Sequence, residues 1–472
     1  MRIGILHQYG LESSGSGLYV THLAKALLRR GHHVCLVSRE PDAARLDWIT
    51  DVRDEHDEEP DAPGAEGTCR AYRVSRGVAA VAYPRAEAPG TPTFAELSDA
   101  ELQGWLTGHA DAVTRIAAQE DLDVLHANHE VPMAYVAREA GRRLGIPYVV
   151  VAHGSTLEYV YARDPRYVPI TREGLADAGR LVVLTSELRE RLRAICPEAE
   201  GRIATVSAGV DLDVFVPREA GHDAPAPPAV AYVGRMSLEK GVHVLLAAFP
   251  EVVRQVPEAR LRLVGEGVVR DAMASLVVAL DEGELARAEA ILRDAAAPGE
   301  EAWLTPVLEH WRGAGREGAA AVARAARLGE RVSFTGQLGP RDVARELRGA
   351  DVVAVPSLVR EAFPLVMLEA LAAGVPPVAA DHGGLSAVLD EFAPALGELG
   401  ADLRVPTGPD LVDALAQRLV AVLRRVATPT DSARWRARCR ALAVERYGWD
   451  RVAGDLEDAY VAVLATTSGA AR

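Results

Sequence analysis

Two carboxylates eight positions apart give the strongest local signal in this sequence, in Glu361-Ala-Phe-Pro-Leu-Val-Met-Leu-Glu369. Pro364 suits a position at or just before the first turn of a helix, so a helix is expected from Leu365. Glu361 then precedes it and Glu369 lies about a turn inside. The first N–H groups of such a helix, those of Leu365 and Val366, lack an intrahelical acceptor and point towards an anion. Carboxylates accept hydrogen bonds from vicinal hydroxyls, as on ribose or a sugar ring. The plainer reading is a helix-capping acid with a surface glutamate.

A second constellation is Gly234-Arg235 with Lys240-Gly241. Two cations in a strand-to-helix loop suit a diphosphate, and a surface salt bridge is the alternative. Lysine usage favours the first: of 52 Lys and Arg residues only Lys25 and Lys240 are lysine. The third constellation, Gly10-Leu-Glu-Ser-Ser-Gly-Ser-Gly17, follows one apolar run and opens an amphipathic one. Glycines admit close backbone approach, and a helix N-terminus favours phosphate. The segment is not a dinucleotide fingerprint, because Val20 stands where the third glycine belongs. His153-Gly154 follows the run Tyr148-Val-Val-Val-Ala152, at the strand end where open α/β sheets bind ligands. Asp121-Leu-Asp123 and Asp211-Leu-Asp213 have the form of a metal pair. The first lies just before a strand and the second in a turn, so neither is taken as a metal site.

These residues need a scaffold, and its pattern is alternating strand and helix. Strands are expected at 2–7, 33–38, 124–126, 148–152 and 181–184, with helices at 18–30, closed by Gly31, and at 132–144. Residues 218–228 are rich in Pro, Ala and Gly and read as a linker. The pattern then restarts, with strands at 229–233, 261–264, 332–334, 352–355 and 377–379, and helices at 242–256, 340–347 and 365–373. Such alternation implies an α/β protein with parallel sheets. The expected domains are 1–217 and 229–432, followed by a helical tail at 433–472. Residues 268–331 read as a helical hairpin inserted into the second domain.

Composition narrows the function. A chain of 472 residues exceeds one core, and a net charge of −15 with no basic aromatic stripe argues against nucleic acid. The run 42–66 carries ten Asp and Glu against two Arg and reads as a solvated loop. Cys35, Cys69, Cys196 and Cys439 show no metal-ligand spacing and read as thiols in a reducing cytosol. No signal peptide and no spanning apolar run are visible, so a cytoplasmic location is expected, with peripheral membrane contact left open.

Together the motifs resemble glycosyltransferase family 4 of the GT-B fold. They are Gly15-Ser16-Gly17, Asp123-Val-Leu-His126, His153-Gly154, Gly209-Val-Asp-Leu-Asp-Val-Phe-Val-Pro217, Gly234-Arg235 with Lys240-Gly241, Val264-Gly265-Glu266-Gly267, and Pro356-Ser357 before Glu361 and Glu369. The resemblance implies two Rossmann-like domains facing a central cleft, with a C-terminal helix crossing back to the first. It also implies retaining transfer from a nucleotide-sugar, with uridine as the expected base. No metal and no other cofactor are expected. Arg235 and Lys240 would neutralise the leaving diphosphate, and Leu365 and Val366 would offer it amides. Gly234, Gly265 and the Gly15–Gly17 loop would border the donor. Glu369 would hold ribose, Glu361 the transferred sugar, and His153 would line its anomeric carbon. The acceptor would be a sugar, a small molecule or a lipid. Pro364, where many members carry glycine, and the insert both depart from the pattern. Competing readings are a sugar-nucleotide epimerase or phosphorylase, a silent sugar-nucleotide binder, and a dehydrogenase.

Overall fold

The computed structural model describes residues 1–11, 15–40, 42–57, 62–75, 79–82, 90–218, 227–361 and 363–470. They form two compact units, one of Met1–Gly209 with Trp449–Arg472 and one of Val210–Gly448.

The first unit is built on β1 Arg2–Leu6, β2 His33–Ser38, β3 Asp51–Asp54, β4 Cys69–Arg73, β5 Val124–Asn128, β6 Tyr148–Ala152, β7 Arg180–Val183 and β8 Ile203–Thr205. They pair in parallel in the order β3-β4-β2-β1-β5-β6-β7-β8. Strands β2, β5 and β6 are buried along their whole length. Continuous apolar runs therefore suit them, where a half-exposed strand would alternate. The strand order reverses between β1 and β5, which opens a crevice at their carboxyl ends. Helix Gly15–Arg29 begins at that end. A Cβ on Gly17 would lie 2.4 Å from the Leu11 carbonyl oxygen, so only glycine lets the helix start so close to β1's exit.

The acidic run corrects one expectation. Residues 51–54 are not a solvated loop but the edge strand β3, in register Asp51↔Arg70 and Asp54↔Arg73 against β4. Arg70 Nε donates to Asp51 at 2.7 Å and Arg73 Nε to Asp54 at 2.8 Å. Opposite charges facing each other across the ladder make this acidic segment fit a sheet. Residues 58–61 of the run lie outside the described residues.

The second unit carries β9 Ala229–Val233, β10 Arg260–Val264, β11 Val332–Gly336, β12 Val352–Val355, β13 Pro377–Ala380 and β14 Arg404–Val405. Their order is β11-β10-β9-β12-β13-β14, all parallel, with the reversal between β9 and β12. The stretch 268–331 is not a hairpin. It folds into helices Arg270–Glu282, Leu285–Ala295, Thr305–Gly313 and Arg316–Ala326 between β10 and β11. Met273, Leu276, Leu292, Val307 and Trp311 share one apolar cluster with Leu245 and Phe249 of helix Val242–Gln255 and with the strands. These helices are thus part of the unit's core.

The tail also divides. Helix Pro429–Arg446 stays with the second unit, where Trp435, Cys439 and Leu442 join its core. Helix Trp449–Ala470 belongs to the first unit and lies against helix Gly15–Arg29. Arg29 Nη2 meets Asp450 at 2.8 Å and Arg30 Nε meets Glu457 at 2.7 Å. Residues 210–217 group with the second unit, ahead of the expected border at 217. Arg440 donates there to the carbonyls of Phe215 (2.7 Å) and Leu212 (2.9 Å). Most of the expected linker, 219–226, lies outside the described residues.

Candidate functional site

In the first unit the carboxyl ends of β1, β5 and β6 bring together His7-Gln8-Tyr9, Asn128-His129-Glu130 and His153-Gly154. His153 Nε2 donates to Asn128 Oδ1 at 2.8 Å, and Asn128 Nδ2 donates to His7 Nδ1 at 3.0 Å. The Tyr19 ring meets His153 edge-on at 4.9 Å, and His129 lies 4.8 Å away. Burial pushes the His153 imidazole down to about 3, with His7 and His126 adding to the effect. His153 is therefore neutral at physiological pH and acts as a hydrogen-bonding group, not as a cation.

Glu130 is fully buried beneath this histidine. Its carboxylate accepts the backbone N–H of His153 at 3.0 Å and of Gly154 at 3.1 Å. Burial raises its affinity for a proton, opposed in part by hydrogen bonds from its own N–H, the Thr156 hydroxyl and the His153 N–H and by the Arg191 charge. His129 holds φ at 131°, in a region that favours glycine. Such strain persists only where the surroundings fix it. At the mouth of the same sheet end, Gly15 is exposed and Ser16 half-buried, and residues 12–14 of that loop lie outside the described residues.

In the second unit the reversal between β9 and β12 gathers the cations and carboxylates. Lys240 Nζ lies 2.5 Å from Glu361 Oε1, and Arg235 pairs with Glu239. Lys240 ends the turn Leu238–Lys240, which is closed by Gly241 at φ 73°, where an added Cβ would lie 1.9 Å from the Pro356 carbonyl oxygen. That close approach seats the β9 loop on the β12 loop. The Glu239 carbonyl accepts from Leu358 N at 2.7 Å, and Glu361 O accepts from Gly384 N at 2.8 Å. Burial would raise the Glu361 carboxyl, but the Lys240 charge and hydrogen bond outweigh it, helped by Ser357 and Arg235. Glu361 is held below the usual range.

Helix Leu365–Ala372 starts after Pro364, and Met367 N donates to Pro364 O at 3.0 Å. Leu365 and Val366 occupy its first two positions, whose amides have no intrahelical acceptor. Glu369 lies one turn in. Burial alone pushes its carboxyl up to about 7. Among the described residues no hydrogen bond or ion pair reaches its side chain. Gly234 N donates to Val264 O at 3.0 Å and Gly265 N to Gly336 O at 2.9 Å, which ties the β9, β10 and β11 exits together.

Arg235, Lys240, Gly234, Gly265, Glu361, Leu365, Val366 and Glu369 thus share the carboxyl edge of the second sheet, with Ala362 outside the described residues. His153 and the Gly15–Gly17 helix start share that of the first. The Asp-Leu-Asp segments serve the backbone: Asp123 accepts Arg2 N at 2.7 Å at the amino end of β1, and Asp211 accepts Asp213 N at 3.0 Å in a turn. Among the described residues no group of three or more His, Cys, Asp or Glu is arranged to hold a metal ion, and no helix is long and apolar enough to cross a membrane. Asn128, Glu130 and His7 escaped the reading of the sequence. Their signal was polar residues ending apolar strands, in Leu6-His7-Gln8 and Ala127-Asn128-His129-Glu130.

The family model for Glycosyltransferase Family 4 matches residues 13–214, and that for Glycosyl transferases group 1 matches 227–292 and 308–425. Of the stretch 268–331, only 293–307 falls outside the match, so most of it is not foreign to this family. The chain is 30% identical over 398 residues to the D-inositol 3-phosphate glycosyltransferase of Saccharomonospora viridis, covering 80% of this chain and 79% of that protein. It is 27% identical over 474 residues to the phosphatidyl-myo-inositol mannosyltransferase of Mycobacterium tuberculosis, covering 98% and 97%. Among solved structures, Anabaena HepE in complex with UDP shares the fold at a TM-score of 0.61 and 16% identity, covering 97% of this chain and 99% of that one.

Proposed function

The chain belongs to glycosyltransferase family 4, has the GT-B fold and transfers a sugar from a nucleotide-sugar donor; from that premise we propose that the donor is a UDP-sugar, that the anomeric configuration is retained, and that no metal ion takes part. The observation that carries this reading is the grouping of Arg235, Lys240 and an open helix start at one sheet edge. Two cations and two free amides form a preorganised site for a diphosphate that gains charge as it leaves.

In this reading Glu369 accepts the ribose hydroxyls and Glu361 faces the transferred sugar. The sugar C1–oxygen bond breaks with its electron pair passing to the diphosphate. The acceptor hydroxyl oxygen bonds to C1 on the face the diphosphate vacates, and its proton passes to a diphosphate oxygen. No protein nucleophile is needed. His153, neutral and held by Asn128, serves the sugar as a hydrogen-bonding group. The carboxyl edge of the first sheet serves the acceptor.

The test is turnover of UDP-glucose, UDP-N-acetylglucosamine and GDP-mannose with saccharide, inositol phosphate and lipid acceptors. It is run with and without EDTA, and the product is read by NMR. An α-linked product from an α-donor and full rate in EDTA are expected. A β-linked product, or loss of turnover in chelator restored by manganese, would falsify the mechanism.

A further inference from the structure

Resting on the role proposed for His153, we propose that Asn128 and Glu130, at the carboxyl end of β5, act together as its positioning pair. Asn128 selects the ring tautomer, and Glu130 fixes the peptide that carries the ring.

The Asn128 amide lies between two imidazoles, with Oδ1 towards His153 Nε2 and Nδ2 towards His7 Nδ1. An amide oxygen only accepts and an amide nitrogen only donates. That orientation places a proton on His153 Nε2 and leaves Nδ1 as a lone-pair acceptor, while His7 Nδ1 is kept unprotonated. The titratable groups around His153 are His7 and His126, the His129 ring at 4.8 Å, the Tyr19 phenol ring at 4.9 Å and the Glu130 carboxylate on its backbone N–H at 3.0 Å. Among these neighbours, Asn128 hydrogen-bonds to the His153 imidazole, through Oδ1 at 2.8 Å.

The backbone is held from the same strand end. Glu130 binds the N–H groups of His153 and Gly154 with one oxygen each, at 3.0 and 3.1 Å. Gly154 stands at φ 76°, so the chain turns sharply straight after the histidine, and the carboxylate fixes that turn. Both arms come from Asn128–Glu130, and both reach His153. A fully buried carboxylate that binds two consecutive amides of a candidate functional loop, with the Thr156 hydroxyl as a further partner, is suited to setting that loop's geometry. Burying a charge is costly unless its bonds return the loss.

The first measurement is the tautomer of His153, by nitrogen and carbon NMR of ring-labelled full-length protein, with the resonance assigned by a His153→Ala variant. The Nε2–H form is expected; the Nδ1–H form overturns the role of Asn128 and needs no turnover at all. The second is a double-mutant cycle on UDP-glucose turnover. Asn128→Leu and Glu130→Gln should each lower kcat by about tenfold or more, with UDP affinity by calorimetry changed less than twofold. Neither should lower kcat further in a His153→Ala background, since partners that act through one residue do not add. Additive losses, or UDP affinity falling in step with kcat, overturn the positioning pair. If Asn128→Leu does not fold, Asn128→Asp keeps the acceptor facing His153 and removes the donor facing His7. It should keep the Nε2–H tautomer and raise the pH at which His153 titrates; an unmoved titration overturns the contact. If His153→Ala, Asn128→Leu and Glu130→Gln all leave turnover intact while the tautomer is Nε2–H and Asn128→Leu changes that tautomer, the function assigned to His153 fails and the positioning geometry stands; if His153→Ala leaves turnover intact and Asn128→Leu loses it, Asn128 does not act through His153 and the positioning pair is overturned.

Discussion

Glu369 is the group whose removal should make the protein more stable and less able to bind. Its carboxyl rises from 4.5 to about 7 because burial disfavours the ionised form. At about 1.36 kcal/mol per unit, that rise corresponds to about 3 kcal/mol at full ionisation. Part of the side chain meets solvent, so a working range is about 1–3 kcal/mol. The sign follows from proton uptake. Below pH 4.5 both folded and unfolded states hold the proton, and nothing is lost. Between 4.5 and 7 the unfolded chain ionises while the folded one stays protonated, so stability falls as pH rises, and above 7 the full cost is present. Glu369→Gln cannot ionise and escapes that cost. Urea unfolding followed by circular dichroism at pH 8 should show the variant more stable by about 1–3 kcal/mol in the transition that UDP shifts, which identifies the second unit. At pH 5 the difference should shrink to about a quarter of that. UDP binding at pH 8 should weaken roughly tenfold to a hundredfold, the worth of hydrogen bonds to a charged group. A stability difference independent of pH, or a less stable variant at pH 8, refutes the burial argument. Unchanged UDP binding with the expected stability gain refutes only the ribose assignment.

Glu361→Gln should behave differently, lowering kcat about tenfold to a hundredfold while UDP affinity stays within a few-fold, because a carboxylate beside a sugar gaining positive charge acts on the transition state; equal loss of UDP affinity in the Glu361 and Glu369 variants would show one structural unit instead. Pro364→Gly restores a backbone N–H and should change the ranking of donors that differ at one hydroxyl by about 0.5–1.5 kcal/mol in relative kcat/KM, and an unchanged ranking removes the idea. Replacing 268–331 by a short Gly/Ser turn should leave the second unit unable to fold, read by loss of its urea transition. Each large apolar side chain uncovered costs about 1.5–3 kcal/mol, and a handful exceeds the stability of a typical domain. A folded, UDP-binding deletion would return the insert to the status of an appendage.

Much of the scaffold is legible because a buried parallel strand writes itself as an unbroken apolar run. Tyr148-Val-Val-Val-Ala152 and Val352-Val-Ala-Val355 coincide with β6 and β12. The glycine that ends helix Gly15–Arg29 is equally plain, at Gly31 with φ 84°. What stayed hidden depends on partners far along the chain. Asp51-Val-Arg-Asp54 looks like solvated charge until Arg70 and Arg73 stand across the ladder. The helices between β10 and β11 show an amphipathic period, but period alone does not say whether the apolar face meets a sister helix or the unit's own core. Lys240 and Glu361 were singled out separately, for phosphate and for sugar. Their contact spans 121 positions and leaves no trace in either motif.

That contact bears on how the two roles coexist. Lys240 and Glu361 are each mostly buried, at 23% and 16% side-chain exposure, so a lone charge at either position would be costly. Paired, they cancel, and Glu361 stays ionised because Lys240 outweighs its burial. Under the proposed donor assignment, a diphosphate at this edge would add negative charge beside the lysine and compete with the carboxylate for it. Glu361 then keeps its negative charge with less compensation, next to a sugar ring whose anomeric carbon becomes positive as the bond to phosphate breaks. The lysine gains a stronger partner at the same moment that the glutamate gains a cationic one. Arg235, paired with Glu239 in the same loop, is open to the same exchange at the rim. Pre-pairing therefore holds both charges in place before the donor arrives, and each charge finds its final partner only as the transition state forms. Under the proposed mechanism, an edge arranged in this way would stabilise the charge that separates as the bond to phosphate breaks.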